Sequence, residues 1–275
     1  MVGEAFDLLH HPLPSERFQG LYDAGMARVL VTGSTDGIGL ETAAQLLRLG
    51  HDVVLHARDE ARAAAAGLPG VAAVVGDLAS LAETKALARD AGAFDVVVHN
   101  AGVGGQDKRQ VTGDGLERTF QVNVLAPYVL TALMPRPARL IYLTSGLESV
   151  GVADLADLQY ERKPWQSMQA YSDSKLLDVA LAFAVARLWP QVRSNAVDPG
   201  WIRTKLGGTN ATDDLPEGAE TQVWLATADE PAATVTGRYF KRRTDLRANP
   251  AAYDRGVQDG LLAACEALSG VKLPG

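Results

Sequence analysis

Short apolar runs bounded by turn residues alternate along this chain with longer stretches of helical periodicity. The runs 27–31, 52–56, 71–75, 95–99, 139–144 and 194–197 read as strands. The first five show no in/out alternation, the pattern expected of strands covered on both faces. Between them, 40–49, 60–66, 81–91, 116–133 and 169–188 read as helices, the alanine tract at 63–66 being helix propensity rather than low complexity. Strand and helix in alternation imply right-handed βαβ crossovers and a mostly parallel sheet with helices on both faces. The predicted fold class is therefore α/β and doubly wound.

No Pro/Gly/Ser-rich linker or long charge run divides the 275 residues, so 26–275 are expected to form one domain, with 1–25 an extension ahead of the first strand. The net charge is −7 and the Lys and Arg residues are scattered, which excludes a nucleic-acid binder and disfavours acidic lipid surfaces. Cys265 is the sole cysteine, so no intramolecular disulfide can form, and a buried, inert thiol is expected. The first 23 residues hold no uninterrupted apolar run of signal-peptide length, and nothing approaches the roughly 20 apolar residues that cross a bilayer. A cytoplasmic location is expected. A homo-oligomer is left open.

The strand Arg28-Val29-Leu30-Val31 runs into Thr32-Gly33-Ser34-Thr35-Asp36-Gly37-Ile38-Gly39, and a helical pattern begins at Leu40. Glycines in such a turn permit positive φ and let the backbone approach a pyrophosphate at the helix N-terminus. Among 27 glycines a triplet alone is weak, and a plain strand-to-helix turn would use the same letters. Position decides for nucleotide binding, because the turn follows the first core strand and opens a helix. The domain then reads as Rossmann-type.

Tyr171 and Lys175 stand at i, i+4 in Tyr171-Ser172-Asp173-Ser174-Lys175, a spacing that projects both from one helix face. A free tyrosine has a pKa near ~10, so acid/base work near neutrality calls for a neighbouring cation. Surface Tyr/Lys pairs one turn apart are commonplace. This one lies 26 residues beyond Ser145, which ends the strand 139–144, and ligands of open α/β sheets sit beyond such strand ends.

The T-G-x-x-x-G-x-G spacing and Y-x-x-x-K together resemble the short-chain dehydrogenase/reductase family. Further marks follow in order: Asp77-Leu78 after the third strand, where Asp77 could equally cap a helix, and Asn100-Ala101-Gly102 after the fourth, with His99 replacing the family's first asparagine. Asn123 lies within a predicted helix, and Asp198-Pro199-Gly200-Trp201-Ile202-Arg203-Thr204 follows the sixth strand. The resemblance implies an oxidoreductase in which Tyr171 is the general acid/base, Lys175 lowers its pKa, Ser145 positions the substrate oxygen and Asn123 holds a relay water. It implies a cofactor bound by Gly33, Ser34, Thr35, Gly37, Ile38, Gly39, Asp77, Leu78, Asn100, Ala101, Gly102, Tyr171, Lys175, Pro199, Gly200, Ile202 and Thr204. His99 reads as a packed strand residue, and no metal site is expected.

Arg58, at the tip of the second strand in Ala57-Arg58-Asp59, favours NADP(H) over NAD(H), since a guanidinium binds a 2′-phosphate that an acid would repel. If the strand ended one residue later, Asp59 would serve the ribose of NAD(H) instead. The 25 residues between Ser145 and Tyr171, with Asp157-Leu158 and Glu161-Arg162-Lys163-Pro164-Trp165, resemble the retinol dehydrogenase-like and WW-domain oxidoreductase-like branch, as does Thr236-Gly237-Arg238-Tyr239-Phe240. The segments 146–170 and 206–214 are expected to border the substrate and to be mobile without it. The implied reaction is hydride transfer between NADP(H) and a carbonyl or alcohol substrate. The competing readings are a non-catalytic NAD(P)-binding redox sensor and a sugar-nucleotide epimerase or dehydratase.

Overall fold

A computed structural model describes residues 25–275, so the expected extension lies outside the described residues except for Gly25. The sheet consists of β1 (Arg28–Val31), β2 (Asp52–Ala57), β3 (Ala73–Val75), β4 (Val96–His99), β5 (Arg139–Leu143), β6 (Arg193–Asp198), β7 (Tyr239–Lys241) and β8 (Thr244–Leu246). Its order is β3-β2-β1-β4-β5-β6-β7-β8, parallel throughout except for the antiparallel β7–β8 pair. The winding reverses between β1 and β4, where Val31 is in register with Val98 and, on its other side, with Leu55. A crevice opens at such a reversal beyond the carboxyl ends of the strands.

Around the sheet stand α1 (Gly37–Arg48), α2 (Glu60–Ala65), α3 (Leu81–Asp90), α4 (Arg118–Phe120), α5 (Ala126–Leu133), α6 (Ser167–Leu188), α7 (Leu215–Thr227) and α8 (Arg255–Ser269). Two apolar cores result. Leu30, Val54, Val97, Leu140 and Ala196 face α3, α5, α6 and α8, while Val29, Val53, Val96, Ile141 and Val197 face α1 and α7. Successive strand residues thus enter opposite cores, which is why the sequence shows unbroken apolar runs. The exception is β3, an edge strand whose Val75 is 36% exposed, so the expectation of two covered faces fails there.

The predicted helix 116–133 is interrupted: a π-helical turn, Gln121–Leu125, joins α4 to α5. Pro127 has no N–H to donate to the Asn123 carbonyl one α-turn back, and a widened turn accommodates the missing bond. α6 begins at Ser167, slightly ahead of the periodicity, and continues to Leu188, buried without a break over 172–186. It is the spine on which the site is built.

Candidate active site

The crevice beyond β1, β2 and β4 is a cavity of about 310 Å³. Among the residues expected from the sequence, Gly33, Thr35, Gly37, Ile38, Gly39, Arg58, Asp77, Leu78, Asn100, Ala101, Gly102 and Thr204 line it. The turn after β1 is held from beneath. Thr32 Oγ1 accepts from the Asn100 and Ala101 N–H groups at 2.9 and 3.0 Å, and the Asn100 amide donates to the Thr32 carbonyl at 2.8 Å. Gly33 has φ +63°, and a Cβ added at Gly39 would lie 2.5 Å from the Gly33 carbonyl oxygen. The glycines are thus needed to pack the turn tightly on itself, and because Gly33, Gly37 and Gly39 line the cavity where α1 begins, the cradle fits the pyrophosphate of a dinucleotide.

Ser34 does not face the cavity. It is fully buried, and its Oγ accepts from the His56 N–H at 2.9 Å, so its side chain braces the turn instead of touching a cofactor. His56 completes that brace, a role the sequence did not reveal. Its Nδ1 accepts from the Gly33 N–H at 2.9 Å, which puts the proton on Nε2, donated to the Gly76 carbonyl at 2.9 Å. Burial holds its pKa below the usual histidine range.

β2 ends at Ala57. Asp59 caps α2, accepting from the Arg62 N–H at 2.8 Å, and pairs with Arg58 at 3.3 Å. Arg58 and the unforeseen Arg62 both line the cavity, and Asp59 does not. Across its mouth Lys205 forms an ion pair with Asp36, the cap of α1. Tyr171, Lys175, Pro199, Gly200 and Ile202, also expected to hold the cofactor, lie outside the cavity lining. Ile202 is buried against Gly218, and Gly200, with φ +98°, donates its N–H to Asp198 at 2.9 Å.

Where the cavity passes Gly102, a Cβ on that glycine would stand 3.6 Å from both the Asn123 amide oxygen and the Lys175 ammonium. There α6 presents Tyr171 and Lys175. The Tyr171 ring packs its Cδ2 edge against Gly104, where an added Cβ would approach that atom to 2.6 Å, so Gly104 is as fixed a requirement as the tyrosine it carries. Ser145, the last residue before a 3₁₀ turn, Gly146–Val150, stands beside the Tyr171 hydroxyl, and its Oγ accepts from the Leu147 N–H at 3.3 Å. Burial raises the phenol pKa above its ordinary value; Lys175 and Ser145 pull it down, and Asp178 and Asp198 push it up. Lys175 is buried, donating to the Leu143 carbonyl and to Asp178, each at 2.8 Å.

Asn123 is spent on the protein itself. Its amide donates to the Val103 carbonyl and Ser174 Oγ, each at 2.9 Å, and its oxygen accepts from the Val103 N–H at 2.8 Å. The side chain clamps the loop after β4 to α6. His99 is packed as expected: Nε2 is bonded to Thr131 Oγ1 at 3.1 Å, the ring lies 4.7 Å from Tyr142, and burial drives its pKa down to about 3. Cys265 is fully buried and its thiol pKa is pushed up by that burial. Among the described residues no cluster of three or more metal-ligating side chains occurs.

The expectation that 146–170 is mobile does not fit its bonding. Asp157 accepts from the N–H groups of Glu161, Arg162 and Lys163 at 2.8 to 3.1 Å. Tyr160, in the left-handed region at φ +53°, donates to Asp173 at 2.6 Å, and Trp165 donates to the Gln106 carbonyl at 3.0 Å. Asp173 sits on α6 between Tyr171 and Lys175, so the insertion is pinned to the catalytic helix. The other segment expected to be mobile, 206–214, is tied as well: the Asp213 N–H donates to the Trp201 carbonyl at 3.0 Å and the Trp201 indole N–H to the Gly207 carbonyl at 2.9 Å, although Trp201 itself is 53% exposed.

The sequence profile of the family described as short chain dehydrogenase matches residues 27–214. The chain is 42% identical over 259 residues to the short-chain dehydrogenase chyC of Penicillium rubens, covering 90% of this chain and 100% of that one. A crystal structure of a putative uncharacterized protein from Mycobacterium paratuberculosis superimposes with a TM-score of 0.80 at 26% identity, over 92% of this chain and 98% of that one. The structure of BdcA in complex with NADPH gives a TM-score of 0.63 at 26% identity, over 80% of this chain and 93% of that one.

Proposed function

The chain belongs to the short-chain dehydrogenase/reductase family of NAD(P)-dependent oxidoreductases, and from that premise we propose that it moves a hydride between NADP(H) and a carbonyl or alcohol substrate with Tyr171 as general acid and base. The observation that carries this reading is the meeting of Ser145, Tyr171 and Lys175 at the carboxyl end of β5, beside the crevice of the glycine turn. No helix of the described residues is long and apolar enough to cross a membrane.

When bound, the nicotinamide ring supplies or takes up the hydride. The chain's own groups handle the oxygen and the proton. Ser145 and Tyr171 hydrogen-bond the substrate oxygen and hold the reacting carbon toward the cofactor side of the site. In the reductive direction Tyr171 Oη gives its proton to that oxygen as the carbonyl carbon becomes tetrahedral; in the oxidative direction it takes the hydroxyl proton away. Lys175 stabilises the phenolate left behind. The role of Asn123 is to fix the loop carrying Gly102 and Gly104 against α6, so that the tyrosine keeps its place.

The glycine turn would receive the pyrophosphate, Asp77 and Leu78 would border the adenine, and Arg58 with Arg62 would meet a 2′-phosphate. The commitment of Asp59 to capping α2 supports NADP(H), since no free carboxylate is left at that position to hold a ribose 2′-hydroxyl. That the BdcA structure holds NADPH accords with this. The test is oxidation of NADPH, compared with NADH, against a panel of aldehydes and ketones. Turnover that disappears in Tyr171→Phe supports the reading; tight cofactor binding with no turnover on any carbonyl would make the protein a redox sensor instead.

A further inference from the structure

Asp178 has no part in the mechanism above, yet it is the group bonded most intimately to Lys175. It lies one turn beyond the lysine on α6, and its Oδ2 accepts from Nζ at 2.8 Å, with both side chains only 4% exposed. A second ammonium proton goes to the Leu143 carbonyl at 2.8 Å, so two of three donors are committed to groups other than the phenol, whose ring centroid lies 5.8 Å from Nζ.

A buried ammonium attracts a nearby phenolate most strongly while its charge is unbalanced, and a carboxylate in contact with it offsets part of that field; at Tyr171, whose pKa burial raises first, Asp178 works against the larger pull of Lys175. The remaining groups around the pair can be named. On α6 they are Tyr171, Lys175 and Asp178. From β5 come Ser145, at its end, and Tyr142, which also feels Asp178. From β6 comes Asp198, neutralised by Lys241 of β7 at 2.9 Å. Lys175, the cation that acts on Tyr171, is thus already paired, and Lys241 is paired with another acid.

Resting on the assignment of Tyr171 as proton donor, we propose that Asp178 is a positioning residue that anchors the Lys175 ammonium and keeps Tyr171 in its phenol form at neutral pH, so that the site is poised to reduce a carbonyl and needs alkaline conditions to oxidise an alcohol. Burial pushes the Asp178 carboxyl up to about 6, so it is mostly ionised at neutral pH and the restraint is in place there.

Two readouts test this. Phenolate absorbance is titrated in the cofactor-free protein with and without Tyr171→Phe, and the difference isolates Tyr171 without any turnover. Its midpoint is expected above the ~10 of a free tyrosine, and a midpoint below that overturns the proposal in the unsubstituted protein. Asp178→Asn, which keeps size and a lysine acceptor but loses the charge, should lower that midpoint by about one unit or more. It should move the rising limb of alcohol oxidation to lower pH by the same amount. Asp178→Glu should restore both. An unchanged or raised midpoint in Asp178→Asn, or an equal shift in Asp178→Glu, overturns it. A shifted phenolate titration with turnover indifferent to Tyr171→Phe would leave the coupling standing and refute the proton-donor assignment.

Discussion

The proposed site has two ends, the Tyr171 cluster and the cavity it adjoins at Gly102, and they are built on opposite plans. At the reacting end Lys175, Asp178 and Asn123 are buried and bonded to fixed backbone or to one another. At the adenosine end Arg58 stands half in solvent, and Lys205, 86% exposed, meets Asp36 at the surface. A proton transfer depends on geometry and on a field that water would screen, so its groups belong in the interior. A cofactor that must leave after each cycle is better gripped by hydrated charges, each modest in strength and sensitive to salt.

The contrast can be broken most forcefully at the reacting end. Tyr171→Phe should lower turnover by about 10²-fold or more while cofactor affinity stays nearly unchanged, because only the proton-carrying hydroxyl is lost; rate and cofactor titration measured together check both halves. At the other end Arg58→Ala should raise the KM for NADPH by roughly tenfold with little change for NADH, and the difference should shrink as salt is added. Equal losses for both cofactors would remove Arg58 as the discriminator.

Acid should weaken the brace between the two ends. His56 and His99 are held neutral by burial, His99 down to about 3. The unfolded chain therefore binds more protons than the native state once pH falls below about 6.5, and stability drops with pH by at most about 1.4 kcal/mol per unit for each histidine. Denaturant midpoints at pH 7 and 5 measure this, and His99→Asn should flatten the dependence. The smallest effect is expected of Lys205→Ala. An exposed ion pair contributes under about 1 kcal/mol, so cofactor affinity should change no more than a few-fold; a loss as large as that of Arg58→Ala would erase the distinction between a phosphate anchor and a surface tie.

Much of this was legible in the sequence where signals are local. The core strands announced themselves because both their faces are covered, and Tyr171, Lys175, Ser145 and the glycine turn keep fixed spacings. The last quarter was largely missed for physical reasons. α8 buries a narrow stripe, Gln258, Leu261 and Cys265, and is diluted by Gly256 and Gly260. The turn between β7 and β8 places Arg242 and Arg243 at positive φ, where glycine or asparagine would have marked it. By contrast, Asp214 and Glu217 with Pro216 form a capping box ahead of α7 that could have been read. In the site, His56, Arg62 and Gly104 matter only through partners distant in sequence. Asp178 was visible as an i, i+3 neighbour of Lys175, but such pairs are ordinary on solvated helix faces, and only its burial sets it apart.

The two margins of the sheet bear on how the protein behaves when crowded. β3 and β8 are three residues each, and β8 is exposed throughout, with Asp245 held by Arg238 at 3.5 Å. Edges so short present few unpaired backbone groups, and a charge along them resists docking of a foreign strand. Among the described residues the sheet therefore offers little template for fibre-like growth by strand addition.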